Sequence, residues 1–410
     1  MMNTSHTHRP QRACPRRGAA GFTLVEMMVA MTLGLLLTLG VCMSMLSMGL
    51  QFRTVGASAA AQVNAQVALS LLNDAGRSAG AGLFNNRQPV CATFNAWSAG
   101  AVKSNGAALM PARITDGGGG GASDTVVFTS STGVGSLSGM PVLDAMTSAT
   151  SPVVVSAGGL VSQNDLALVG VPGSTTVPCT LIQVTAAPTT GTSCGGVANA
   201  CKTLTHAVVT NAGYNAPAGT FTTEPWYGYA TAGSVSGPAV VMRLGTEFQQ
   251  QAFAVQCNTL VEYNAFSVTP SCTTSPLSFG ANVNALATDV VLMLAQYGVS
   301  SKADSNIVTS WVSATGSWTN PTAANVQRIK AVRVVVVSRS KEPAGDNVTP
   351  ATCTNGGSVV NTGPCNFEDA AAPVIDLSAV AVPAGRNWRQ YRYRVQQAVI
   401  PLRNVIWSNG

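Results

Sequence analysis

From Met27 to Leu50 the chain runs through 24 residues without a charge, most of them apolar. Roughly 20 such residues are enough for a helix to cross a bilayer, so this segment is predicted as a membrane-spanning helix. The polarity then changes without a break. From Gln51 to about Arg77, Val55, Val63, Val67, Leu71 and the adjacent Leu72 recur at spacings of four or eight, among Gln62, Asn64, Gln66 and Asp74. That period predicts an amphipathic continuation of the helix, with Gly76, Gly80 and Gly82 marking its end. One continuous helix of about 55 residues would extend about 80 Å at 1.5 Å per residue.

Beyond Ala81 the pattern shortens to β-rich runs separated by Gly, Pro, Asn and Ser clusters. Strands are predicted at Asp124 to Thr129, Leu166 to Val169, Leu181 to Thr185, Ala239 to Leu244, Val290 to Gln296, Val332 to Ser338 and Arg392 to Leu402. The segment from Arg328 to Arg339 is apolar at consecutive positions in its middle and charged towards its ends, which predicts a strand covered on both faces. The second half of the N-terminal helix is a natural cover for one of them. Gly, Ser and Thr-rich segments around residues 186–220 and 345–364 read as surface insertions. The predicted fold class is α+β: a long N-terminal helix packed on a large antiparallel β-rich domain. Its divisions are residues 1–21, 22–50, 51–80 and 81–410, the last in one lobe or two.

The junction ahead of the apolar run is the most specific signal. It reads Gly21-Phe-Thr-Leu-Val-Glu26 and follows a leader containing Arg9, Arg12, Arg16 and Arg17. A secretory signal is cut after its apolar segment, which is then discarded; here the cleavage point precedes it. A cut between Gly21 and Phe22 leaves the helix on the mature chain with a free amine. Glu26 then lies just inside a membrane helix, where an acid costs about 2.5–3.5 kcal/mol at the centre and is read as functional. Snorkelling to headgroups is one reading. Pairing of its carboxylate with the positive N-terminus of an adjacent subunit is the preferred one.

This motif is that of a type IV prepilin, and the chain resembles the minor pilins of the PilW family. The resemblance is strong over residues 18–80 and extends, in order, through Ser123-Asp124-Thr125, Asp165-Leu166, Ile182-Gln183-Val184-Thr185, Gln296-Tyr297-Gly298 and Leu402-Arg403-Asn404. It implies a pilin-like fold, cleavage by a prepilin peptidase after Gly21, methylation of the Phe22 amine and a role for Glu26 in assembly. It also implies a structural function: priming and assembly of a type IV pilus with other minor and major pilins and the assembly machinery. A place near the tip, beside a tip adhesin, would support adhesion, twitching motility or DNA uptake. A minor pseudopilin of a type II secretion system is the alternative.

Charge and cysteine content add the compartment. The formal charge of +6 includes the four leader arginines; without them 18 basic residues face 16 acidic ones, leaving +2, so no global attraction to nucleic acid follows. The same arginines hold the N-terminus in the cytoplasm by the positive-inside rule, which places the chain in the inner membrane with its ectodomain outside, and then at the cell surface in the pilus. Cys14 leaves with the leader and Cys42 lies in the membrane helix. Cys91, Cys179, Cys194, Cys201, Cys257, Cys272, Cys353 and Cys365 remain, an even set in an oxidising compartment. Cys257 with Cys272 and Cys353 with Cys365 would each close a short loop; Cys179 with Cys194 or Cys201 is plausible.

Catalytic constellations are sparse. His206 is the one histidine outside the leader, which holds His6 and His8, and nothing around it resembles a nucleophile elbow. A zinc motif is absent, and the run Gly117 to Gly121 lacks the Lys-Ser or Lys-Thr of a phosphate loop, so a hairpin or linker explains it better. Asp304 near Asn306 and Asp346 near Asn347 suggest calcium only weakly, without EF-hand spacing. Arg386, Arg389, Arg392 and Arg394 interleave with Trp388, Tyr391 and Tyr393. Arginine with aromatics can hold single-stranded nucleic acid, yet a period of two is what a strand with one polar and one packed face produces. No enzyme activity, metal or cofactor is expected, and DNA is not a favoured partner.

Overall fold

Leu24–Ser78 is a single α-helix of 55 residues. The computed structural model describes residues 21–85, 88–119, 121–131, 139–146, 148, 150–156, 160–191, 200–208, 213–222 and 239–406. The leader, with Arg9, Arg12, Cys14, Arg16 and Arg17, lies outside the described residues, as does Cys194. By its contacts the chain divides into two units, Met1–Gly56 and Ala57–Gly410. The second carries the sheets and is taken first.

Within that unit the helix buries Ala65, Ala68, Leu72, Ala75 and Ala79 in the main hydrophobic core. Steps of three and four residues put these five on one face. The valines expected on that face are not there: Val63 and Val67 are exposed, and Leu71 is only partly buried. The side chain of Val55 is outside the described residues. Alanine wins the buried face because it lets the helix backbone approach the sheets closely, which valine's branched side chain would prevent. Gly76 belongs to the same surface. Expected as a terminator, it lies inside the helix, where a Cβ would run into Ile400 Cγ2 and the Phe128 ring. Termination falls to Gly80, at φ +80°, and to Asn404, whose side-chain amide donates to the carbonyls of Arg77 (3.1 Å) and Ala79 (3.0 Å). The last carbonyls of a helix lack partners within it, and here the far end of the chain supplies them.

Three sheets carry most of the remaining structure. The five-stranded one runs Val283–Thr288, Thr259–Asn264, Phe248–Gln256, Thr125–Ser131, Ala112–Thr115, antiparallel throughout. The four-stranded one runs Ser310–Val312, Val290–Val299, Ile329–Arg339, Tyr393–Pro401, also antiparallel. The six-stranded one runs Ala101–Ala108, Thr93–Ser98, Cys179–Gln183, Leu166–Gly170, Val240–Gly245, Met140–Pro141, with a parallel pairing between Thr93–Ser98 and Cys179–Gln183. The architecture is therefore the α+β, helix-plus-antiparallel-sheet layout expected.

Ile329–Arg339 is the central strand of the four-stranded sheet. Val332, Val334 and Val336 face the core that contains the helix. Val335 and Val337 face a second cluster with Ile375, Leu377, Tyr391 and Tyr393. Both faces are covered, as a run of consecutive valines requires. Its charges are not confined to the ends, however: Arg333 sits in mid-strand and is 1% exposed. Burying a guanidinium is costly unless every donor is used. Arg333 pairs with both oxygens of Asp369 and donates to Gln296 Oε1 (2.7 Å) and the Ala371 carbonyl (2.6 Å). The rings of Trp311 and Phe367 each lie 4.8 Å from its guanidinium carbon, in cation–π range. The paired arginine holds the Asp369 carboxyl below its usual range.

Asp124 joins two of the sheets. Its backbone N–H donates to Met293 O (2.8 Å), and its carboxylate accepts the N–H groups of Ala295 (2.7 Å) and Gly117 (2.9 Å). The glycine run is thereby the connection of a hairpin between Ala112–Thr115 and Thr125–Ser131. Burial raises the Asp124 pKa from 3.8 to about 6, outweighing the two N–H bonds that favour the charged form.

Two outcomes are expected in urea unfolding. Gly76→Ala should lose roughly 1–3 kcal/mol to overpacking against Ile400, more than the about 1 kcal/mol of helix propensity it gains; an unchanged or raised midpoint would show that Ile400 moves aside freely. For Asp124 the folded pKa lies above the unfolded one, so its proton is held more tightly in the native state. Its contribution to stability is complete below about pH 4 and is lost as pH rises through about 6, a fall of about 3 kcal/mol at most. Asp124→Asn should remove that slope, whatever it does to absolute stability, and an identical pH profile for the variant would disprove the assignment.

Candidate functional site

The first unit offers one extended surface. Gly21, Phe22 and Thr23 precede the helix, and Thr23 caps it: its Oγ1 accepts the Glu26 N–H at 3.3 Å while its carbonyl accepts Met27 N–H at 3.1 Å. Threonine suits this position because its hydroxyl satisfies one of the N–H groups that the first turn leaves without a partner. Glu26 falls in the first turn, where an acid is favoured by the positive end of the helix dipole. Its carboxylate has no hydrogen bond or ion pair among the described residues.

Leu24–Leu46 is long and apolar enough to cross a membrane, and none of it is buried by the chain itself. Both of its threonines bond to their own helix: Thr32 Oγ1 donates to Val29 O (2.9 Å), and Thr38 Oγ1 to Gly34 O (3.0 Å) and Leu35 O (2.9 Å). Such bonds hide hydroxyls from a hydrocarbon environment. Leu24, Leu35 and Leu37 are about 70% exposed or more, at 77%, 68% and 71%. Each would gain roughly 1.5–3 kcal/mol on leaving water. Among the described residues a Cβ at Gly34, Gly40 or Gly49 would meet nothing outside the neighbouring backbone, so packing within the chain does not call for glycine there. Their effect is to lower the helix surface for whatever lies against it. Cys42 is a free cysteine on the same segment.

The ectodomain resolves the other candidates. Cys257 bonds to Cys272 and Cys353 to Cys365, closing hairpin loops 15 and 12 residues apart. Cys179 bonds to Cys91, 88 residues away, and so pairs with neither Cys194 nor Cys201. Spacing misleads here because the parallel neighbours Thr93–Ser98 and Cys179–Gln183 bring distant sequence together, with Cys179 opposite Phe94. A closed loop of that length is worth roughly 4–5 kcal/mol in the chain-entropy model. Cys201 is also disulfide-bonded.

His206 is buried, its Nε2 2.7 Å from the Ser151 carbonyl, and burial lowers its pKa. The C-terminal aromatics turn inward: Tyr391 and Tyr393 are in the second core cluster with Trp388 packed against it, while Arg392 and Arg394 are exposed. The rings needed for base stacking are therefore in the interior. Asp304 and Asp346 join no acidic cluster: among the described residues no three His, Cys, Asp or Glu side chains lie close enough to hold a metal ion, and Asn306 donates to the Ile406 carbonyl (3.4 Å).

Hydrophobic counting missed the alanine face of the helix, although the spacing of Ala65, Ala68, Ala75 and Ala79 was a readable signal once alanine is treated as a contact residue. Arg333 and Asp369 left no local signal, being 36 residues apart.

Comparison with known proteins agrees with this geometry. Residues 16–41 match the family model described as the prokaryotic N-terminal methylation motif, and residues 272–404 match that of the type IV pilus-assembly protein W. The second match spans the four-stranded sheet and the Arg333–Asp369 pair. No curated protein and no solved structure gives a significant match. The resemblance to PilW minor pilins is thereby supported by two separate segments of the chain.

Proposed function

We propose that this chain is a minor pilin, cut between Gly21 and Phe22 by a prepilin peptidase, methylated at the Phe22 amine and built into a type IV pilus with other minor and major pilins. The observation that carries the reading is the bare helix: among the described residues Leu24–Leu46 has no cover and Glu26 no partner. Before assembly the bilayer covers the helix, with the ectodomain on the periplasmic side. During assembly neighbouring helices replace lipid. Glu26 sets the register by pairing with the amine of an adjacent subunit, since an acid in hydrocarbon gains most from a partner. The disulfide-bonded head supplies the surface seen by other subunits and by anything at the tip, and through it adhesion, twitching motility or DNA uptake.

Mass spectrometry of the membrane and sheared-fibre fractions should find a chain that starts at a methylated Phe22. Gly21→Leu should accumulate as uncut precursor in the membrane; fibres containing that precursor at normal levels would defeat the processing step. Glu26→Ala should be cut and inserted normally but fall at least about tenfold in fibres, as expected when one half of a poorly solvated ion pair is removed. Wild-type amounts in purified fibres would exclude the charge pairing.

A further inference from the structure

Arg113 stands out among the cations of the ectodomain. It projects from the edge strand Ala112–Thr115, on the side opposite the core residues Ala112 and Ile114. It is half-buried, and no carboxylate pairs with it among the described residues. Among the described residues its side chain makes one hydrogen bond, a long one to the Ala108 carbonyl at 3.4 Å. Arg333 and Arg243, by contrast, each hold a carboxylate in two-pronged fashion. A guanidinium offers five donors in a planar fork, so Arg113 keeps most of its capacity unspent.

The group lines a cleft of about 250 Å³ between Ala101–Ala108, the edge strand and the segment 320–323. No acidic side chain lines it, and its polar side chains besides Arg113 are Thr93, Asn105, Asn320 and Thr322, Asn105 being bonded to Thr222. Thr93 and Asn320 make no side-chain hydrogen bond to the described residues, and the Thr322 hydroxyl accepts a weak bond from Asn325 N–H (3.4 Å), which leaves its own proton to donate. Met110 and Pro321, both buried, form an apolar wall. A few convergent polar groups beside an apolar wall is the usual composition of a small-molecule site.

We propose that this cleft binds a monocarboxylate sugar, a hexuronate or the terminal acidic residue of a glycan, with the carboxylate on Arg113. A planar fork matches the two oxygens of a carboxylate. One cation suits a single negative charge better than the two of a phosphate monoester. The Asn320 amide and the two threonine hydroxyls both donate and accept, as ring hydroxyls require, and the Met110–Pro321 wall can meet the C–H face of the ring. The volume admits one pyranose ring. Such a site on an exposed head recognises an acidic polysaccharide by its end, and it does so whether or not the processing scheme above holds.

The test is calorimetric titration of the full-length chain in detergent micelles with glucuronate, glucose, acetate and inorganic phosphate. Glucuronate should bind with a Kd of about 1 mM, a usual strength for so small a ligand. Glucose and acetate should each bind at least about tenfold more weakly, since each lacks half of the contacts. Arg113→Gln should weaken glucuronate at least about tenfold. Asn320→Ala, at an exposed position where folding is not at risk, should weaken it about threefold to tenfold and provides the check if the arginine variant does not fold. No glucuronate binding up to about 10 mM, glucose or phosphate binding as tightly, or both variants binding within twofold of the parent would each overturn the assignment.

Discussion

An apolar helix that the described residues do not cover calls for cover by lipid or by other helices, and the N-terminal unit is organised around that demand. Water is excluded as a final environment for Leu24–Leu46 by simple transfer energetics: many large side chains at roughly 1.5–3 kcal/mol each. Lipid satisfies the demand without specificity. Neighbouring helices would satisfy it with more specificity, because small residues on a helix admit close contact. The hydroxyls of Thr32 and Thr38, bonded to the backbone of their own helix, leave the surface uniform for either environment.

The head solves a different problem. It has little charge and many small residues, so its cohesion comes from covering sheets on both faces and from covalent ties. The four-stranded sheet has the helix-containing core on one side and the Ile375, Leu377 and Tyr391 cluster on the other. Arg333 is the largest of its buried polar side chains, and its bonds to Asp369 and Ala371 tie the loop that carries them to the strand. The Cys91–Cys179 bond secures the six-stranded sheet across its parallel pairing, the one kind of strand contact that no tight turn enforces.

How much of this could be read beforehand depended on range. The long helix, the strands around Val290, Val332 and Arg392, and the loop disulfides Cys257–Cys272 and Cys353–Cys365 are written in local periodicity and spacing. Features set by partners far away in sequence were either hidden or, like the alanine face of the helix, legible only once alanine is counted as a contact residue. The buried helical face went to alanines because the sheets come close, and Gly76 is a contact point for that reason. Cys179 chose a partner 88 residues away through a parallel pairing. Arg113 and Arg333 look alike in sequence, each within a strand, and only the fold gives one of them an acid.

The Asn404 amide closes the last turn of the N-terminal helix from the opposite end of the chain, 327 and 325 positions beyond the carbonyls of Arg77 and Ala79. Because the capping amide lies 327 positions after Arg77, no local stretch of sequence can seal this turn, and the helix end gains its cap only when the segment that follows the strand Tyr393–Pro401 has joined the sheets.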